Sequence, residues 1–174
     1  MDMLRERIKG LERRIIEMIR AGHDNEALVH KMHRWTRAVM LARSASVLPQ
    51  VLIEELKHEF MVPMAALRVW GVATAHAGLP WAQPVSEDLK TFTASLAGPF
   101  CGLNSGFEAA NWLPEPQAAM SIALIPLRAD AESPAFGLLV LASPDAQRFN
   151  AEMGTDFLER IAELASGALS RLRP

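Results

Sequence analysis

The chain has 174 residues, half of them hydrophobic and 22% charged, with a formal net charge of −2 and a single cysteine. This length predicts one domain with an appendage rather than two full domains, since domains centre on about 100–150 residues. No apolar run approaches the roughly 18–20 residues that cross a bilayer, and one cysteine cannot form an intrachain disulfide.

The start of the chain, Met1–Lys9, is charged throughout and lacks the apolar core of a secretory signal. The lone thiol of Cys101 suits a reducing compartment. We therefore expect a cytoplasmic protein that has no membrane partner.

Residues 1–44 predict a long helix with an apolar stripe, because they contain no proline and their apolar residues recur at alternating spacings of four and three. We interpret this segment as a homodimerisation coiled coil, followed by a body at residues 45–174. The alternative is a helix that packs only on its own body. Asn25 lies on the stripe, where a polar residue favours one register at a cost in stability. The predicted dimerisation residues are Leu4, Ile8, Leu11, Ile15, Met18, Asn25, Val29 and Met32.

The charge is unevenly distributed: residues 1–43 carry 10 Lys/Arg against 6 Asp/Glu, and residues 44–174 carry 8 against 14. A basic helix can bind nucleic acid by neutralising phosphates. Its basic residues alternate with acidic ones, however, which is typical of a solvated helix face. Nucleic-acid binding is therefore a minor alternative.

Pro49 predicts the start of a second helix, with Leu52, Ile53, Leu56 and Phe60 on its inner face. A strand is predicted over residues 65–73 from alternating apolar residues. We expect a turn at residues 76–80, and a short edge strand at residues 81–83 that pairs back on the first.

Ser86 predicts the N-cap of a third helix, with Leu89 and Phe92 on one face. Residues 98–102, rich in glycine and proline, are expected to end that helix. Residues 104–112 predict a compact loop with one helical turn, closed by Pro114 and Pro116.

Two strands follow, at residues 121–127 and 136–142, joined by a polar hairpin connection and followed by a long amphipathic helix. Both strands are apolar on both faces, so both faces of the sheet should be covered. We expect the first, second and last helices on one face and residues 74–117 on the other. A ligand pocket is predicted between residues 74–117 and the sheet.

This order of elements resembles a GAF domain, a small-molecule sensor fold. The chain also has six shorter motifs: Leu4–Arg7, Asn25–Leu28, Pro99–Gly102, Ser143–Asp145, Arg148–Phe149 and Met153–Thr155. With these motifs the chain resembles the bacterial family called domain of unknown function 484, over essentially its whole length. The resemblance implies an α+β fold: a GAF-like domain with a central antiparallel sheet, helices packed on one face, and a long N-terminal coiled-coil helix. It implies no established catalytic residues, and members are often encoded near a site-specific recombinase.

Aromatic residues cluster in sequence around the predicted pocket, and aromatic walls with a few polar groups suit a planar or apolar ligand. The alternative is an ordinary aromatic core. The predicted ligand-binding residues are Arg68, Trp70, His76, Trp81, Phe92, Cys101, Asn104, Trp112 and Ser121.

No catalytic constellation is visible, because the chain has neither a nucleophile elbow nor a phosphate-binding glycine loop. His30 and His33 lie three apart on a helix but have no further ligand at metal-site spacing, so we predict surface histidines and no metal site. Cys101 has no nearby basic residue to activate it, which favours a packing role. The sequence identifies no cofactor.

We therefore interpret the chain as a non-enzymatic sensory or regulatory module. In this interpretation it binds an unidentified small molecule, acts as a homodimer, and passes a signal to a protein partner. One alternative is a ligand-free dimeric scaffold or protein-interaction module. The second is a nucleic-acid accessory factor that uses the basic N-terminal helix.

Overall fold

The computed structural model describes residues 1–151 and 156–174, so Met153–Thr155 lies outside the described residues. Short 3₁₀ turns join the main elements. None of the helices within these residues is long and apolar enough to cross a bilayer. The helices are α1 (Asp2–Met40), α2 (Leu48–Phe60), α3 (Glu87–Ser95) and α4 (Asp156–Leu169), and the strands are β1 (Met64–Val69), β2 (Phe100–Leu103), β3 (Ser121–Arg128) and β4 (Ala135–Ser143).

The four strands form one antiparallel sheet in the order β1-β4-β3-β2. The central pair, β3 and β4, is the hairpin that the sequence predicted, and nearly every residue of both strands is buried. In the connection, one carboxylate oxygen of Asp130 accepts hydrogen bonds from the backbone N–H groups of Glu132 and Ser133, at 2.9 and 2.8 Å. This local turn satisfies backbone donors that the ladder leaves free.

Both faces of the sheet are covered, which confirms the predicted layering. On one face α1, α2 and α4 bury a core that includes Trp35, Leu52 and Leu139. On the other face the segment between β1 and β3 packs directly on the sheet, where Leu89 and Leu113 contact the opposite core. The predicted α+β fold with a central antiparallel sheet is confirmed.

Three predicted boundaries need correction. The first helix ends at Met40 rather than near residue 44. The first strand ends at Val69, because Gly71 takes a positive φ of 67° that turns the chain out of the sheet. Residues 81–83 form no edge strand, since Pro80–Ala82 is a 3₁₀ turn with Pro80 at its start and Trp81 buried in the helix-side core.

The segment at residues 98–102, predicted to end the third helix, contains a strand instead. The helix already ends at Ser95, and Phe100–Leu103 pairs with β3 as the sheet's edge strand β2. Pro99 before this strand and Gly102 within it weaken its sequence signal, because both residue types are depleted in strands. The pairing with β3 outweighs that local preference.

Candidate functional site

The N-terminal part of α1 extends beyond the body. Residues 1–27 are exposed apart from half-buried Gly10. The 39 residues of α1 span ~58 Å at about 1.5 Å per residue. We call residues 1–27 the arm. Its large apolar side chains are all more than half exposed: Met1, Met3, Leu4, Ile8, Leu11, Ile15, Ile16, Met18 and Ile19.

The C-terminal part of the same helix belongs to the body. Trp35 is 1% exposed, and its indole N–H donates to the backbone oxygen of Leu52 at 3.0 Å. The Trp35 ring also meets Phe60 edge-on, with centroids 6.5 Å apart. Met32 is buried in this core. Its own body therefore covers most of Met32, which also lines a groove between α1 and α4, and its role in dimerisation stays a prediction.

A groove of about 610 Å³ lies where the arm meets the body, between α1 and α4. Asn25, Val29 and Thr36 of α1 line one wall, and Phe157 and Leu164 of α4 line the other. Val29 and Leu164 are both 38% exposed. The stripe of the arm thus continues into an open, partly apolar groove rather than ending at the surface of the body.

Three of the predicted ligand-binding residues lie near one another on the opposite face of the body. The Arg68 guanidinium lies 5.3 Å from the ring centroid of Trp112 and donates to the backbone oxygen of Pro80 at 2.9 Å. Burial lowers the pKa of Arg68, although an arginine stays protonated at neutral pH. Trp70 donates its indole N–H to the backbone oxygen of Ala135 at 3.0 Å.

The other predicted aromatic residues lie in different places. His76 and Trp81 are neighbours, with ring centroids 5.7 Å apart, but Trp81 belongs to the helix-side core. Phe92 and Phe100 each contact Phe107, at 5.8 and 5.5 Å between centroids. The fold therefore separates Trp81, in the helix-side core, from Trp70, Phe92 and Trp112, which pack against the core on the other face of the sheet.

Sequence comparison decides the family. A profile described as "Protein of unknown function, DUF484" matches residues 1–173. The chain belongs to the DUF484 family. Comparison with curated proteins gives no significant match.

Solved structures show which fold this DUF484 chain has. The GAF domain of a phosphoenolpyruvate-protein phosphotransferase from Coxiella burnetii aligns with a TM-score of 0.59 and 14% identity, covering 84% of this chain and 95% of that one. Its Acinetobacter counterpart aligns at 0.57 and 14%, covering 82% and 92%. The GAF domain of the Escherichia coli potassium sensor histidine kinase KdpD aligns at 0.50 and 13%, covering 83% and 94%. The DUF484 chain therefore has a GAF-like fold.

Two polar residues predicted to bind ligand have structural partners in this DUF484 chain. The Ser121 hydroxyl donates to the backbone oxygen of Asp145 at 2.6 Å and accepts from the backbone N–H of Phe149 at 3.2 Å. The Asn104 amide donates to the backbone oxygen of Ala119 at 3.1 Å. These bonds tie loops to the ends of strands.

Cys101 lies on β2 and is buried in the helix-side core of the DUF484 chain. Burial raises the pKa of its thiol, since a low-dielectric surrounding disfavours the thiolate. At neutral pH the side chain is a neutral thiol that packs among apolar groups.

Sequence reasoning missed the groove, because it is formed by two helices more than a hundred residues apart. Phe157 and Leu164 belong to the long amphipathic helix that the sequence predicts after the second strand of the hairpin. The sequence offers one signal of the groove: the apolar face of the last helix carries a residue that the core of the body does not need. Leu164 is that residue, at 38% exposed, whereas Leu158 and Ile161 are fully buried.

Proposed function

We propose that this chain is a non-enzymatic, homodimeric regulatory module of GAF-like fold that acts through its arm and helical layer. The observation that carries the proposal is the apolar stripe of the arm, exposed along residues 1–27. A second copy of the arm would cover that stripe, as two helices do in a coiled coil.

The physics of helices supports a partner for the arm. Most helical stability in proteins comes from packing of an apolar face rather than from intrinsic propensity. The arm has such a face and packs it on nothing within the described residues. A coiled coil supplies the missing packing and removes exposed apolar surface from water.

The packing of the body favours the ligand-free alternative over a sensor with an internal pocket. On the face where the pocket was predicted, Phe92 and Trp112 pack against the apolar cluster on the sheet. The groove between α1 and α4, at about 610 Å³, is larger than the cavity of about 260 Å³ beside Phe92. We therefore propose that the protein acts through the surface of its helices.

Two neighbouring isoleucines provide the test. Ile15 lies on the stripe and Ile16 one position around the helix, and they are 55% and 59% exposed. We expect the wild type to be a dimer by sedimentation equilibrium, Ile15→Glu to be a monomer, and Ile16→Glu to remain a dimer. Circular dichroism of each variant checks that the body is folded. A monomeric wild type at micromolar concentration overturns the proposal.

A second candidate function is ligand sensing around Arg68. Its guanidinium lies against Trp112 and bonds only backbone oxygens, with no carboxylate ion pair formed within the described residues. A free cation beside an aromatic ring suits a small anionic, planar ligand.

Native mass spectrometry of gently purified protein separates the two candidates. A dimer mass without an increment supports the ligand-free module. A reproducible small-molecule increment that is lost in Arg68→Gln supports the sensor.

A further inference from the structure

The stripe of the arm carries the pattern of a parallel, two-stranded coiled coil. In heptad terms, Ile8, Ile15 and Val29 occupy position a, and Leu4 and Leu11 occupy position d. β-Branched residues at a with leucine at d favour two parallel strands. In that arrangement each residue meets its own counterpart across a two-fold axis.

The charges beside the stripe support the same orientation. In a parallel pair, Arg7 at position g lies opposite Glu12 at position e of the second copy, which is attractive on both sides of the coil. One antiparallel register sets Leu11 of one copy against Ile15 of the other. In that register Arg14 faces Arg14 of the second copy, and Glu12 faces Glu12 of the second copy. Both contacts are repulsive, so this register is disfavoured.

A second antiparallel register places Arg5 beside Glu26 of the second copy and avoids that repulsion. It sets Ile8 against Asn25, however, which buries an amide against an aliphatic side chain that offers it no hydrogen bond. In the parallel pair, Asn25 faces Asn25 of the second copy, and the two amides can bond each other.

The groove lies along the path of a parallel partner helix. A parallel partner continues past Asn25 alongside Val29 and Thr36, both of which line the groove. The exposed Leu164 on the α4 wall then lies beside the path of the partner helix.

We propose that the groove between α1 and α4 is the second half of the dimer interface, and that its occupant is α1 of a parallel second copy. This inference rests on the proposed homodimer. It adds that α4 takes part, so that the two bodies lie side by side and a shift of α4 in one copy is felt by the α1 helix of the other.

Disulfide trapping tests the orientation. In a Cys101→Ala background, Leu4→Cys is oxidised with diamide, and Glu6→Cys, which faces away from the stripe, is the control. A parallel pair brings the two Leu4 positions within disulfide reach, so we expect a linked dimer for Leu4→Cys alone. In the two antiparallel registers these positions are ~27 or ~37 Å apart at about 1.5 Å per residue. Absence of cross-linking in a protein that is dimeric by sedimentation overturns the parallel arrangement.

A matched pair of leucines tests the groove itself. Leu164 is 38% exposed in the groove, and Leu103 is 63% exposed on the edge strand β2. We expect Leu164→Glu to weaken the dimer at least about tenfold, because it buries an unpaired charge at the interface. Leu103→Glu should leave the dissociation constant unchanged, and circular dichroism checks both folds.

The outcomes separate the two proposals. If Ile15→Glu gives a monomer and Leu164→Glu dimerises like the wild type, the arm interface stands and the groove contact is wrong. If the wild type is a monomer, both proposals fail together. If Leu164→Glu weakens the dimer and Leu103→Glu does not, the groove belongs to the interface.

Discussion

The two ends of α1 carry the same apolar periodicity but lie in opposite environments. At the C-terminal end, Trp35 and Val39 are buried against the body. In the arm, Ile8 and Ile15 are more than half exposed. An apolar stripe on a helix therefore indicates that the helix packs against a partner. The periodicity of the stripe does not say whether that partner lies in the same chain.

The length of α1 explains how one stripe serves two partners. Residues 1–27 extend beyond the body and are exposed apart from half-buried Gly10, whereas Met32, Trp35 and Val39 are buried against it. The body therefore covers the end of the stripe and leaves its start free.

The largest expected effect comes from the covered end of α1. Trp35→Ala removes a buried indole and its hydrogen bond to Leu52, and should lower the free energy of unfolding by about 3–5 kcal/mol. Ile15→Ala, at the exposed end, should leave the unfolding of the body nearly unchanged in dilute protein. Urea unfolding followed by tryptophan fluorescence measures both. Equal destabilisation by the two variants would contradict the difference between a buried C-terminal end of α1 and an exposed arm.

A smaller effect is expected from a buried hydroxyl in the body. Ser121→Ala leaves the backbone N–H of Phe149 without its acceptor, and should cost about 1–3 kcal/mol of unfolding free energy. Ser105 is exposed in a loop, so Ser105→Ala is the matched control and should cost almost nothing. A Ser121→Ala protein as stable as the control would show that the fold does not depend on this bond.

The smallest effect is expected at the exposed hairpin turn. Hydrogen bonds from Ser133 and Glu132 lower the pKa of Asp130 below its ordinary 3.8. A lowered folded pKa stabilises the protein above the unfolded value and loses that contribution as the pH falls through the folded value. The stability difference between wild type and Asp130→Asn should therefore be small at neutral pH and shrink below about pH 4. Unfolding curves at several pH values measure it, and a difference that grows on acidification would refute the assignment.

The predictable part of the fold was the part with a strong local signal. Ser86 was predicted as an N-cap, and its hydroxyl accepts the backbone N–H of Leu89 at 3.0 Å. The hairpin was predicted from two apolar runs with turn formers between them. The sequence analysis did not predict strand β2, because Pro99 and Gly102 weaken its local signal. The strand forms through its pairing with β3.

The candidate site likewise has a part that the sequence predicted and a part that it did not. The stripe from Leu4 to Met18 was predicted by spacing alone, and the structure leaves it exposed. The ligand candidates do not all lie on one face of the sheet, because closeness in sequence says little about which face a side chain takes. Trp81 and Trp112 illustrate this, since they lie in opposite cores.

The sequence by itself determined the order of the main elements, the burial of both faces of the central hairpin, and the apolar stripe of the arm. Each follows from periodicity and turn chemistry, which are local. Only the tertiary structure decided that Met32 belongs to the body, that β2 completes the sheet, and that α4 stands beside α1 to form a groove. Those outcomes depend on contacts between residues far apart in the chain, and no local pattern encodes which distant surface will be nearest.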